Sequence, residues 1–208
     1  MIAPKLPRRS LLLLPAALLH TPVAHAADLL DRIVQARSTV RTLRARFTQD
    51  RTIGLLASSV SSRGELILVR PDRLRWHLDP PDEITWWVSR NTLSYASSTS
   101  RGTVTREAAG SMAPLLDDLL AVIGGDVGLL QARYRISVRR DPDDAAVVSA
   151  VPVDADVARR ARLIALVLAP DLVRPRQIVL EETAEDRSVI RFSDVRINEP
   201  VDPAIMRP

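Results

Sequence analysis

Residues 70–87 read RPDRLRWHLDPPDEITWW. This short stretch holds all three tryptophans of a 208-residue chain whose aromatic content is only 3%. The period of its apolar residues decides the fold. Leu74, Trp76 and Leu78 alternate with Arg73, Arg75 and His77, a period of two that belongs to a strand with one apolar and one wet face. The Pro80-Pro81 pair turns the chain, and either Trp86 or Trp87 returns on the apolar side. A sheet wet on one face is an antiparallel one.

Working outward, the same alternation recurs with breakers between the segments. On one side lie GELILVR (64–70), EITWWVS (83–89), NTLSYA (91–96) and GTVTRE (102–107). On the other lie RYRISVR, AAVVSAVPV, RLIALVLA, RQIVLEE and SVIRFSDVRI, spread over 133–197. Two stretches break the alternation. Residues 28–48, DLLDRIVQARSTVRTLRARFT, place Leu30, Ile33, Val34, Val40, Leu43 and Phe47 at spacings of three and four, which predicts an amphipathic helix. Residues 113–131 predict a second, strongly apolar helix stopped by Gly124-Gly125, with a further turn around Leu129 and Leu130. The expected class is mainly β with α. About ten antiparallel strands cannot stay flat, so the sheet curls into an incomplete barrel, and the apolar helices cover its concave face. With so few aromatics to fill the space, the pattern allows either a packed interior or an aliphatic-walled cavity.

The first 26 residues stand apart. A basic start (Lys5, Arg8, Arg9), an apolar run interrupted by Pro15 and the sequence AHA are the order of a secretory signal peptide, with cleavage expected between Ala26 and Ala27. The expected organisation is a signal peptide at 1–26 and a single domain at 27–208, exported to the periplasm as a soluble protein. Without that segment 26 bases face 25 acids. The charge is then balanced, no arginine cluster is interleaved with aromatics, and a nucleic-acid partner is not expected. The chain has no cysteine, so disulfides, thiolate metal sites, a cysteine nucleophile and a lipidated N-terminus are all excluded.

No catalytic constellation emerges. His20 and His25 lie in the leader, which leaves His77 alone on the polar face of a strand, short of a metal site or a triad. No nucleophile elbow, P-loop or dinucleotide fingerprint is present. The pairs Asp117-Asp118, Asp143-Asp144 and Glu181-Glu182 read as turn and surface charges, since sequence neighbours diverge. A binding protein, without catalytic residue, metal or cofactor, is the expectation.

RFTQDR (46–51), SSRGEL (61–66) and VRPDRLRWHLDPPDE (69–83), with FSDVRINEPVDPAIM (192–206) near the end, closely resemble the LolA family of periplasmic outer-membrane lipoprotein carriers. The resemblance implies a lidded half-barrel whose cavity takes lipoprotein acyl chains. An inner-membrane exporter complex would supply the cargo and an outer-membrane acceptor would take it from a monomeric carrier. The family's lid-latching arginine falls on Arg70. Phe47 falls on the lid helix, and Leu74 and Trp76 on the strand beside the cavity. Further lining is expected from Leu66, Leu68, Trp86, Leu93, Tyr95, Leu116, Leu119, Leu120 and Ile123. SRNTLSY (89–95) keeps Leu93 and Tyr95 but lacks the Trp that relatives carry between them, a difference that bears on cargo. A non-lipoprotein lipid, such as a glycolipid or lipid-linked pigment, is the alternative cargo. A periplasmic lipid sensor is the alternative role.

Overall fold

The computed structural model describes residues 22–208 apart from 55–57, 106, 109, 111 and 160. The expected leader therefore lies largely outside the described residues. Eleven strands form one antiparallel sheet: β1 (Thr42–Ile53), β2 (Ser58–Val69), β3 (Arg73–Leu78), β4 (Ile84–Val88), β5 (Thr92–Ser97), β6 (Arg101–Thr105), β7 (Tyr134–Arg140), β8 (Ala146–Pro152), β9 (Leu163–Leu168), β10 (Pro175–Glu181) and β11 (Arg187–Ile197). The helices are α1 (Pro22–Ser38), α2 (Met112–Gly124), α3 (Val127–Gln131) and the four-residue α4 (Ala155–Ala158), and a 3-10 turn at Pro203–Met206 follows the last strand.

Strand order explains where the lid must go. Across the sheet it runs β6-β5-β4-β3-β2-β1-β11-β10-β9-β8-β7, so β1 is the central strand. The chain meanders from it to the β6 edge and later meanders back from the β7 edge to β11. The single long connection between the two edges carries α2 and α3, and it has to cross a face of the sheet. Register shifts at Arg44/Arg46 in β1 and Pro175/Gln177 in β10 add local twist that curls the sheet. The edges β6 and β7 do not pair, which leaves the barrel open.

Residues 42–48 are strand, not helix, which gives the eleventh strand. Phe47 therefore lies on β1 and not on a lid helix. The helix stops because Ser38 Oγ and Thr39 Oγ1 donate to the carbonyls of Gln35 and Ala36, 2.7 and 2.8 Å away. Such back-bonds meet last-turn acceptors from the side chain and mark helix ends. Asn198, at φ 60°, fixes the junction from outside: its side chain accepts from Arg41 N (2.6 Å) and donates to Thr39 O (3.0 Å).

Register aligns the apolar residues in rows across the concave face. Leu43, Leu68, Leu74, Val88 and Leu93 form one row; Ala45, Leu66, Trp76, Trp86 and Tyr95 form the next. In the third row Phe47 faces Gly64, and Gly64 faces Leu78. The absence of a side chain at Gly64 lets the Phe47 ring lie across β2 and reach Trp76, at 4.4 Å between centroids. A Cβ at Gly64 would sit 2.8 Å from Phe47 Cζ and 1.8 Å from the backbone oxygen of His77. Gly64→Ala is expected to cost about 2 kcal/mol, seen as a lower urea midpoint at unchanged slope. A midpoint equal to the parent's would mean that β2 and β3 part there freely.

The outer face is polar and partly strapped. Arg44 and Arg75 both pair with Glu65, at 2.6 and 3.1 Å. Trp87, unlike Trp86, points outward and donates from Nε1 to Ile205 O at 3.0 Å. The tail after β11 thus crosses the convex side and buries Met206.

Candidate functional site: a lidded apolar cavity

Between the sheet and α2 lies a cavity of 510 Å³. Its apolar wall comes from Leu74, Trp76 and Leu78 of β3, from Ile84, Trp86 and Val88 of β4, and from Leu93, Leu180 and Ile190, with Leu119 contributed by the lid. The period-two alternation of RLRWHL and ITWWV produces this wall, because every second side chain faces inward. At the end of the sheet formed by the β1–β2 loop, the β3–β4 turn and the β10–β11 turn, the lining becomes polar: Gln49, Arg51, Ser62, Asp82, Glu182 and Ser188. A larger hollow of 630 Å³ outside the lid holds Arg70, Asp72, Arg90, Asp117, Asp126 and Arg133 among its lining residues and is too charged to shelter a hydrocarbon chain.

The residues singled out from sequence separate into layers. Leu74, Trp76, Trp86, Leu93 and Leu119 line the cavity. Leu66, Leu68 and Ile123 are fully buried in the core beside it, and Phe47 packs beneath Trp76. Tyr95 shares the row of Trp86 but is not in the lining; its ring lies against Gly102 of β6 instead. Leu120 faces the outer hollow instead. The side chain of Leu116 lies outside the described residues.

Arg70, the candidate latch, is half-buried and donates from Nη1 to the carbonyl of Arg37 at 3.1 Å, at the last turn of α1. Its hydrogen bond therefore goes to α1 rather than directly to α2. The contact to α2 is made by Arg37, a residue that sequence reasoning passed over. Arg37 is fully buried. Its Nη2 donates to Ile123 O at the C-terminal end of α2, and its Nη1 donates to Val173 O in the β9–β10 turn. Helix ends and turns offer unpaired carbonyls, and a forked cation suits one of each at once. Gly125, at φ +79°, leaves room for this: a Cβ there would lie 2.4 Å from Arg37 Nε. Burial, with a smaller push from the charge of Arg70 and an opposing pull from Asp171, brings the Arg37 guanidinium down to about 10.

The second fastening of α2 is also polar. Asp118, read from sequence as a surface charge, is buried. It accepts from Tyr134 Oη at 2.5 Å and from Arg133 Nη2. The lid thus packs through Leu119, Ala121, Val122 and Ile123 and is pinned by Asp118 and by the Ile123 carbonyl. His77 sits on the opposite, convex face, where its Nδ1 lies 2.9 Å from Thr85 Oγ1. Desolvation, reinforced by Arg75, lowers its pKa. Its side chain faces away from the cavity lined by its neighbours Trp76 and Leu78, and among the described residues no group of three or more His, Asp or Glu side chains is arranged to hold a metal ion.

Residues 38–207, from the end of α1 through the sheet, lid and tail, match the family described as outer membrane lipoprotein carrier protein LolA. The chain belongs to the LolA family. An outer-membrane lipoprotein carrier protein of Coxiella burnetii is 24% identical over 186 residues, covering 86% of this chain and 82% of that protein. Among solved structures, an uncharacterised conserved protein from Thermus thermophilus superposes with a TM-score of 0.51 at 8% identity, over 88% of this chain and 93% of the other. MucB superposes with a TM-score of 0.51 at 16% identity, over 89% of this chain and 63% of its own. At such identities these structures share the LolA-type fold and nothing finer. No described helix is long and apolar enough to cross a membrane.

Proposed function

We propose that this protein is a periplasmic carrier that shields acyl chains in its cavity, exported by way of a signal peptide at residues 1–26. Its cargo would be outer-membrane lipoproteins, received from an inner-membrane exporter complex and passed to an outer-membrane acceptor. The observation that carries this reading is the apolar cavity under a helix held by a few polar clips. Each buried methylene stabilises a bound chain by about 0.8 kcal/mol, and the walls of β3, β4 and Leu119 supply the area. A lid held by a handful of hydrogen bonds, each worth on the order of 1 kcal/mol net, closes when empty and yields to cargo. The role is binding rather than catalysis.

One observation favours a smaller cargo. A cavity of 510 Å³ lies within the range of single-ligand pockets, about 300–1,000 Å³, and suits one long acyl chain. A lipid with several chains requires α2 to lift. Mass spectrometry of material co-purifying with the protein from the periplasm separates the readings. Triacylated lipoproteins are the expected finding; a single free lipid species supports the carrier of a glycolipid or lipid-linked pigment. No bound lipid, together with no uptake of an acyl probe, would overturn both.

A further inference from the structure

The polar end of the cavity has a composition that selects among acylated ligands. Three neutral side chains, Gln49, Ser62 and Ser188, line it. Among the described residues none of the three has a side-chain hydrogen-bond partner. Ser188 is only 5% exposed as a residue, but its hydroxyl is not sealed in the core: it opens on the cavity, where it can meet a polar group of a ligand. The charged lining is Arg51, Asp82 and Glu182. Arg51 already donates from Nη2 to Glu182 at 3.0 Å, which leaves the rim with two carboxylates to one guanidinium. A phosphate arriving there would find Arg51, the one cation among the described lining residues, committed and two negative charges nearby, whereas an ester or amide carbonyl would find hydroxyl and amide donors.

The three neutral groups also occupy the right depth. Gln49 and Ser62 are register partners, one step beyond the Phe47–Gly64 pair towards the β1–β2 loop, and Ser188 faces Arg51 and Leu180. The Leu74–Val88–Leu93 row lies towards the other end, beneath the lid and its Leu119. An amphiphile entering this cavity would therefore lie tail-first, with its methyl end under α2 and its linkage region at the rim.

We propose that this rim recognises the neutral, hydrogen-bonding linkage region of an acylated ligand, made of ester or amide carbonyls and hydroxyls, and discriminates against anionic headgroups. The proposal rests on the reading of the cavity as an acyl-chain site. It is tested by displacement of a fluorescent fatty-acyl probe from the protein purified from the periplasm. The competitors are 1-palmitoylglycerol and 1-palmitoylglycerol 3-phosphate, each below its micellar concentration and at equal ionic strength. The neutral lipid is expected to bind about tenfold more tightly than its phosphorylated counterpart. In Gln49→Leu/Ser188→Ala it should lose about fivefold, and Asp82→Asn, at an exposed turn position, should narrow the preference between the two lipids. Equal or tighter binding of the phosphate lipid to the parent protein would overturn the rim proposal while leaving the acyl-chain site standing. Binding of neither lipid nor probe would overturn both.

Discussion

Replacing Arg37 by alanine is expected to destabilise the protein by about 3 kcal/mol, the largest stability loss among the substitutions considered. The side chain is fully buried and ties together three elements: α1, which carries it, the end of α2 through Ile123 O, and the β9–β10 turn through Val173 O. Hydrogen bonds from a charged donor are worth about 1.5–3 kcal/mol each, and truncation leaves one buried carbonyl (Ile123) and one half-buried carbonyl (Val173) without this donor. Relief works in the opposite direction, because a buried guanidinium is itself costly; its pKa is drawn down to about 10, and Nε has no partner among the described residues. The net is therefore well below the sum of two charged hydrogen bonds plus a void. Arg37→Met, which refills the space without the charge, should recover part of the loss. Urea unfolding at neutral pH measures both. If Arg37→Ala unfolds at the parent's midpoint, the clip between α1, α2 and the turn carries no weight.

How much of this was legible in the sequence depends on which residue is asked. The strand character of RLRWHL was unambiguous, because charges and apolar groups alternate strictly, and the inward set Leu74, Trp76, Leu78 followed. Phe47 was misplaced for a definite reason: it lies four residues after Leu43, and a spacing of four satisfies both a helix of 3.6 residues per turn and a strand of period two. The discriminating signals were local, in Ser38-Thr39, whose hydroxyls end helices, and in the β-branched Val40 and Thr42 that follow. Arg37 and Asp118 were missed because a charged residue on a helix normally faces water. Yet Arg37 stands in the apolar series Leu29, Ile33, Arg37 at steps of four, and Asp118 stands four residues before Val122. A charge inside the buried stripe of a helix was the available sign. What it bonds to could not be read, since Val173 is 136 residues away in the chain.

Arg70→Leu is expected to leave the fold intact and to slow cargo release at least tenfold. The bond from Arg70 Nη1 goes to the backbone oxygen of residue 37, so it fastens the final turn of α1, the same turn that carries the Arg37 clip to α2. Acting as a latch, Arg70 would make this contact with the lid shut and lose it with the lid raised, so that its removal would shift the balance towards the loaded state. A charged hydrogen bond of about 1.5 kcal/mol corresponds to roughly tenfold in that equilibrium. Expelling a chain from the cavity costs free energy that lid closure helps offset. Without Arg70 the protein should still load but hand over its cargo sluggishly. Arg70→Lys keeps a cation able to reach one carbonyl and should restore part of the rate, whereas a merely structural role would show equal melting for both variants and no difference in release. Transfer of a fluorescent acyl ligand from loaded protein to acceptor vesicles reads the rate directly. Release by Arg70→Leu at the parent's rate would mean that Arg37 and Asp118 alone hold the lid, since the acceptor on residue 37 is main chain and survives in either arginine variant.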